Sequence, residues 1–223
     1  MFSIFKYKKI KIENRYIFLR KYSVDFEVFD YVFKKKYHHP HLPILSEQPI
    51  ILDLGSNIGL TVVDIKLMYP KSMVYGFEMD YDNYLLSLKN TKGLSDVFIF
   101  NKAVWFENTT LSYNKMVNYD AYKLSINTDR EIENKINVTT TTINQIIADN
   151  KIEVIDYLKM DIEGAELEIF QNDLSWLSIV KEIKIEVHYP PEKLNFFLKQ
   201  LDSLGFKTMK DEKHWSTVIA YKS

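Results

Sequence analysis

Five carboxylates and one histidine stand at or just beyond the ends of apolar runs. Asp53 and then Gly55, Ser56, Asn57 and Gly59 follow Ile50-Ile51-Leu52, Glu78 closes Val74-Tyr75-Gly76-Phe77, Asp161 and Glu163 follow Tyr157-Leu158-Lys159-Met160, and Glu186 and His188 alternate in Ile185-Glu186-Val187-His188. Gly55 and Gly59 allow the backbone to turn sharply and to approach a ligand closely. A turn built for pyrophosphate has the spacing Gly-x-Gly-x-x-Gly and no carboxylate at its tip. Here Asp53 occupies the tip, which suits a ligand carrying positive charge.

S-adenosylmethionine (SAM) is such a ligand, with an ammonium and a sulfonium and no phosphate. Glu78 lies 25 residues after Asp53, at the end of the next apolar run, where a carboxylate reaches the ribose hydroxyls of an adenosine. Asn101 closes a third run, Phe98-Ile99-Phe100, and either reads the adenine edge or simply starts a loop. The expected cofactor set is therefore Asp53, Gly55, Ser56, Asn57, Gly59, Glu78, Met79, Asn101 and Asp161.

Asp161 and Glu163 sit where a strand leaves the sheet and a helix begins, the edge at which open α/β sheets bind ligands. One acid is explained by helix capping; two acids followed by Gly164 point to a site. Glu166 and Glu168, further along the same helix, read as solvated surface. Glu186 and His188 point to one side of their strand, and a histidine titrates in the range of a general base near neutrality. Asp161, Glu163, Glu186 and His188 are thus the candidate catalytic residues, with His188 or Asp161 as base and Glu163 or Glu186 orienting it. A divalent metal held by Asp161 and Glu163 or Glu186 is an alternative way to acidify a hydroxyl, but no metal is expected. His38, His39 and His41, interrupted by Pro40, do not have the spacing of a metal site.

Apolar runs alternating with helical patterns from Ile50 onward predict βα units on a parallel sheet. Strands are expected at 49–54, 73–77, 97–101, 155–160, 183–187, 207–209 and 217–221, with helices at 60–68, 82–90, 143–149, 163–171 and 191–204. Residues 102–142 interrupt this rhythm as an insertion with hairpin-like strands at 110–113 and 136–141. Residues 1–45 form an N-terminal extension, with a strand pair around 10–19, a helix near 26–35 and a linker at 37–43. The main α/β domain is then expected to cover 46–223.

The length of 223 residues fits one domain with an appendage. The absence of cysteine excludes disulfides, thiolate nucleophiles and thiolate-bound zinc. No run approaches the ~18 apolar residues of a membrane span, and Met1-Phe2-Ser3-Ile4-Phe5-Lys6 lacks a signal-peptide core, so a soluble, cytoplasmic protein is expected. Residues 1–36 carry ten Lys and Arg against four Asp and Glu, which reads as a solvated basic face rather than a nucleic-acid surface.

Together these motifs resemble the FkbM family of SAM-dependent methyltransferases. The likeness rests on Asp53-Leu54-Gly55-Ser56-Asn57-Ile58-Gly59, Gly76-Phe77-Glu78 and Leu158-Lys159-Met160-Asp161-Ile162-Glu163-Gly164-Ala165-Glu166. Arg20-Lys21-Tyr22-Ser23-Val24-Asp25 and Ile185-Glu186-Val187-His188 also match. Ser56 stands where the family commonly has alanine, and Met79 where it often has proline. The resemblance implies a Rossmann-like α/β sheet of seven strands whose last inserts antiparallel. It implies O-methylation of a hydroxyl on a sugar, glycan or natural product, and Arg20, Ser23 and Asp25 folding over the cofactor or acceptor pocket. A non-catalytic SAM-binding module and a nucleic-acid methyltransferase are the rival readings, and a homodimer is possible.

Overall fold

The computed structural model describes residues 6–114 and 135–222. A hairpin of β1 (Tyr7–Ile12) and β2 (Arg15–Arg20) leads into α1 (Asp25–Phe29), which continues as a π-helical turn over Asp30–Lys34. The main sheet is built from β3 (Ile50–Leu54), β4 (Met73–Phe77), β5 (Val97–Phe100), β9 (Tyr157–Met160), β10 (Glu182–Glu186), β11 (Lys207–Lys210) and β12 (Thr217–Tyr221), in the order β11-β12-β10-β9-β3-β4-β5. All neighbours are parallel except β12, which lies antiparallel between β10 and β11. The chain winds outward from β3 through β4 to β5, then returns to β9 on the other side of β3. This reversal opens a crevice at the carboxyl ends of β3 and β9, the place where such sheets bind ligands.

Alternation along the strands divides the core between two faces. Leu52, Leu54, Leu158, Met160, Ile183 and Ile185 face one side, packed with α4 (Ile143–Asn150), α5 (Glu166–Phe170) and α6 (Leu194–Ser203). Ile51, Val74 and Tyr157 face the other, against Val62 and Ile65 of α2 (Leu60–Met68). α3 (Tyr81–Thr91) starts at Asp80, whose Oδ1 accepts the Asn83 N–H at 2.9 Å, the usual side-chain cap. β6 (Ala103–Val104), β7 (Thr110–Asn114) and β8 (Lys135–Thr141) form a separate three-stranded sheet in which β7 and β8 are the expected antiparallel pair. The middle of the expected insertion lies outside the described residues.

The N-terminal hairpin does not stand apart from the core. Ile17, Leu19 and Val32 share a cluster with Ile58, Leu60, Val63 and Leu86 of the glycine turn, α2 and α3. Asn90 of α3 is fully buried, accepts the Phe18 N–H at 2.7 Å and donates to the Ile58 carbonyl at 2.9 Å. One amide thereby ties the hairpin to the glycine turn.

The helix expected at 163–171 begins later, at Glu166. Glu163 and Gly164 have φ of 56° and 100°, left-handed values that an α-helix cannot contain. Residues 161–165 form instead a loop that lifts the two acids off the sheet. Glu166, expected on a solvated surface, is fully buried, and its Oε1 accepts the N–H groups of Ile162 and Gly164 at 3.3 Å each.

Candidate active site

A cavity of about 380 Å³ opens over the crevice between β3 and β9. Its floor is Gly55, Ser56, Asn57 and Lys159; Asp161, Glu163, Glu186 and His188 form one wall. The N-terminal segment closes it through Val24, Glu27, Val28 and Tyr31, and Tyr37, His38 and His214 complete the lining.

The four candidate catalytic side chains meet here, from two strand ends and the loop after β9. His188 Nε2 lies 3.6 Å from Asp161 Oδ1, 3.6 Å from Glu163 Oε2 and 3.9 Å from Glu186 Oε1. Its other nitrogen, Nδ1, is 2.8 Å from the buried Glu166 Oε1. Burial works against charge on His188, but the hydrogen bond to Glu166 and the facing acids outweigh it and raise the imidazole to about 10. Burial, with Asp161 adding repulsion, pushes Glu163 up to about 8 and Glu186 up to about 7. Burial would raise Asp161 as well, yet Lys159 and His188 hold it below its ordinary range.

Lys159 is the residue whose role sequence reading missed most clearly. Its Nζ, buried under the turn, donates to the Gly55 carbonyl at 2.6 Å and lies 3.2 Å from Asp53 Oδ1 and 3.3 Å from Asp161 Oδ2. Burial opposes its charge, and the two aspartates more than restore it, holding the ammonium above its ordinary range. A lysine inside the apolar run Tyr157–Met160 was the available signal. Tyr37 was likewise overlooked; its hydroxyl donates to Glu186 Oε2 at 2.9 Å and contacts Thr217 Oγ1. For Glu166 the spacing offered no signal, because only the left-handed loop turns it inward.

Of the nine residues expected to hold a cofactor, Gly55, Ser56, Asn57 and Asp161 line the cavity. Asp53 lies beneath them, buried and paired with Lys159. Glu78 is buried beside the turn, accepting the Asn57 N–H and the Asp80 N–H, both at 2.8 Å. Gly59 begins α2, with φ of 78°. Asn101 donates to the carbonyls of Glu78 and Met79 at 2.9 and 3.0 Å, so its amide shapes the bend after β4, while Met79 packs on Ala103, Tyr113 and Val138. Arg20, Ser23 and Asp25 do not line the cavity. Arg20 and Asp25 form a buried bidentate pair, with Nη2 to Oδ1 at 2.7 Å and Nε to Oδ2 at 3.0 Å. The Ser23 hydroxyl donates to the Arg20 carbonyl and receives the Asp25 N–H. This corner sets the direction of the segment from which Val24, Glu27 and Val28 reach the cavity. The three linker histidines diverge: His38 faces the cavity, His39 Nε2 pairs with Asp64 at 2.6 Å, and His41 stacks on Tyr221.

The model of the methyltransferase FkbM domain matches residues 53–208, from the tip of the glycine turn to β11. The chain belongs to the FkbM methyltransferase family. Methyltransferase sdnD of Sordaria araneosa is 24% identical to this chain over 204 residues, covering 77% of this chain and 79% of that protein. The crystal structure of methyltransferase FkbM from Methylobacillus flagellatus KT matches with a TM-score of 0.57 and 18% identity, covering 83% of this chain and 46% of that one. This FkbM domain thus spans about half the length of that solved relative and shares its fold. Among the described residues, no helix is long and apolar enough to cross a membrane.

Proposed function

We propose that this FkbM-family chain transfers a methyl group from SAM to a hydroxyl of a sugar, glycan or natural-product acceptor. The observation that carries the reading is the joining of the glycine turn and the acid-histidine cluster in one cavity.

The residues fit SAM by charge. Five carboxyl groups, Asp53, Asp161, Glu163, Glu166 and Glu186, face two basic groups, Lys159 and His188, around the crevice; a bound cation would favour the ionised forms of Glu163 and Glu186 that burial disfavours, and Asp53 Oδ2 is buried with no hydrogen-bond partner among the described residues. A sulfonium and an ammonium complement such a surplus, whereas a pyrophosphate would be repelled. The main-chain atoms of Gly55, Ser56 and Asn57 would hold the amino-acid end and Glu78 the ribose, each of its oxygens keeping acceptor capacity beyond the one N–H it receives. When bound, SAM supplies an activated methyl group for in-line displacement by oxygen.

The chain's own task is to align the hydroxyl and remove its proton. His188, held as an imidazolium by Glu166, has no lone pair with which to accept it. Asp161 Oδ2 is engaged by Lys159 and Glu186 Oε2 by Tyr37, while Glu163 receives no hydrogen bond from any described residue. Glu163, held at φ of 56° by the loop after β9, is the base we assign, with His188 as the counter-charge that steadies its ionised form. Titration calorimetry with SAM and S-adenosylhomocysteine, comparing wild type with Asp53→Ala and Glu78→Ala, tests the cofactor. Absence of binding by folded wild type would sink the methyl-transfer reading. On a confirmed acceptor, Glu163→Gln is expected to lower turnover at least a hundredfold and leave SAM affinity within threefold, about the range of general-base losses.

A further inference from the structure

The donor atoms of Asp161, Glu186 and His188 that face the cavity all lie within 4.8 Å of one another. The separations of 3.6 Å from His188 Nε2 to Asp161 Oδ1 and 3.9 Å to Glu186 Oε1 are too long for direct hydrogen bonds. They match two donors bound about 2.1 Å from a common ion, which stand about 3–4 Å apart.

Each of the three is also held from behind by a buried partner on the atom turned away from the gap. Glu166 takes His188 Nδ1 at 2.8 Å, Tyr37 takes Glu186 Oε2 at 2.9 Å, and Lys159 takes Asp161 Oδ2 at 3.3 Å. Glu166, Tyr37 and Lys159 are 0%, 5% and 4% exposed, respectively. A carboxylate on the far nitrogen of a histidine, and hydrogen bonds on the far oxygens of carboxylates, are the supports that orient metal ligands. A cluster of acids alone would lack them.

We propose that Asp161 Oδ1, Glu186 Oε1 and His188 Nε2 form a binding site for one hard divalent cation such as Mn²⁺ or Mg²⁺. Two carboxylate oxygens with a single imidazole favour such an ion over the softer metals, which select thiolates or several imidazoles. To bind, the ion displaces the Nε2 proton of His188 and supplies in its place the positive charge that faces Glu163. The site stands without the methyl-transfer reading. Its use, to lower the pKa of an acceptor hydroxyl whose proton Glu163 then takes, rests on that reading.

The test is Mn²⁺ titration of purified, chelator-stripped full chain, following loss of the free-ion electron paramagnetic resonance signal. One Mn²⁺ per chain, displaced by Mg²⁺, is expected for wild type. Glu186→Gln and Asp161→Asn should each weaken binding at least tenfold, and Glu166→Gln by a smaller factor. Glu192→Gln, which alters an exposed carboxylate away from the cavity, should leave it unchanged. Circular dichroism melts of each variant separate loss of the site from loss of the fold. No saturable Mn²⁺ uptake by wild type into the millimolar range, or unaltered uptake by folded Glu186→Gln and Asp161→Asn, would overturn the proposal. SAM titration of the same preparations keeps the two readings apart: Mn²⁺ bound without SAM retains the metal site and removes methyl transfer, and SAM bound without Mn²⁺ does the reverse.

Discussion

The Lys159 ammonium hydrogen-bonds the Gly55 carbonyl at 2.6 Å, so a charged side chain from the centre of the sheet clamps the backbone of the glycine turn. The same ammonium separates Asp53 from Asp161. Removing it in Lys159→Ala leaves the buried Asp53 carboxylate without its partner and facing the half-buried Asp161, which costs about 3–5 kcal/mol. Lys159→Ala should therefore melt far below wild type, and Lys159→Arg, which keeps the charge, should recover part of the loss.

Gly55 and Gly59 both have left-handed φ, but their surroundings differ. A Cβ on Gly55 would stand 1.7 Å from the Asp161 carbonyl oxygen, whereas one on Gly59 would meet Ser87 Cβ at 3.0 Å. Gly59→Ala is expected to cost about 1–3 kcal/mol from strain and crowding. Gly55→Ala cannot be accommodated without separating β3 from the loop after β9, and should yield little folded protein in expression and thermal-melt comparisons.

Arg20 and Asp25 hold the segment that covers the cavity. Arg20→Ala abandons a buried carboxylate and should destabilise the chain by about 3–5 kcal/mol, while Arg20→Met with Asp25→Leu should restore much of the stability. Urea unfolding of the single and double variants checks both expectations.

Glu78 supplies one part of the pH dependence, beside Glu163 and Glu186, which burial raises to about 8 and 7. Burial pushes its carboxyl from 4.5 up to about 7. The native state therefore keeps a proton that the unfolded chain releases above about pH 4.5, so this contribution to stability is complete at lower pH and is lost as pH rises through about 7. SAM binding should run the other way, because the ionised form is the better acceptor for ribose hydroxyls. Affinity is expected to rise up to about tenfold between pH 6 and 8. In Glu78→Gln both dependences should become shallower, the remainder coming from Glu163 and Glu186, as read by calorimetry and by melts at several pH values.

The sheet was legible because its strands are short apolar runs set off by turn residues. Each of the seven expected main-sheet strands overlaps an observed one, and the antiparallel last strand followed from the family resemblance. Asp161, Glu163, Glu186 and His188 were legible because polar residues at strand ends are conspicuous. What supports them was not. Glu166 looks like any glutamate in a helix until Glu163 adopts a left-handed backbone, a conformation that residue type disfavours and tertiary contacts impose. Asn101 stands at a strand end, where position alone suggests a ligand contact, but its Nδ2 donates to the carbonyls of Glu78 and Met79.

The late insertion of β12 beside β10 bears on how the chain is made. Between synthesis of β10 and of β12, roughly thirty residues and a few seconds at about 5–20 residues per second, β10 has no partner on that side. An unpaired central strand is a template for sticking to other chains. β10 reads Glu182-Ile183-Lys184-Ile185-Glu186, with a charge at every second position. Before Glu182 caps the linker, Lys184 pairs with Asp211 and Glu186 joins the site, these same charges make the open edge costly to bury against a stranger, so they guard the nascent chain against aggregation.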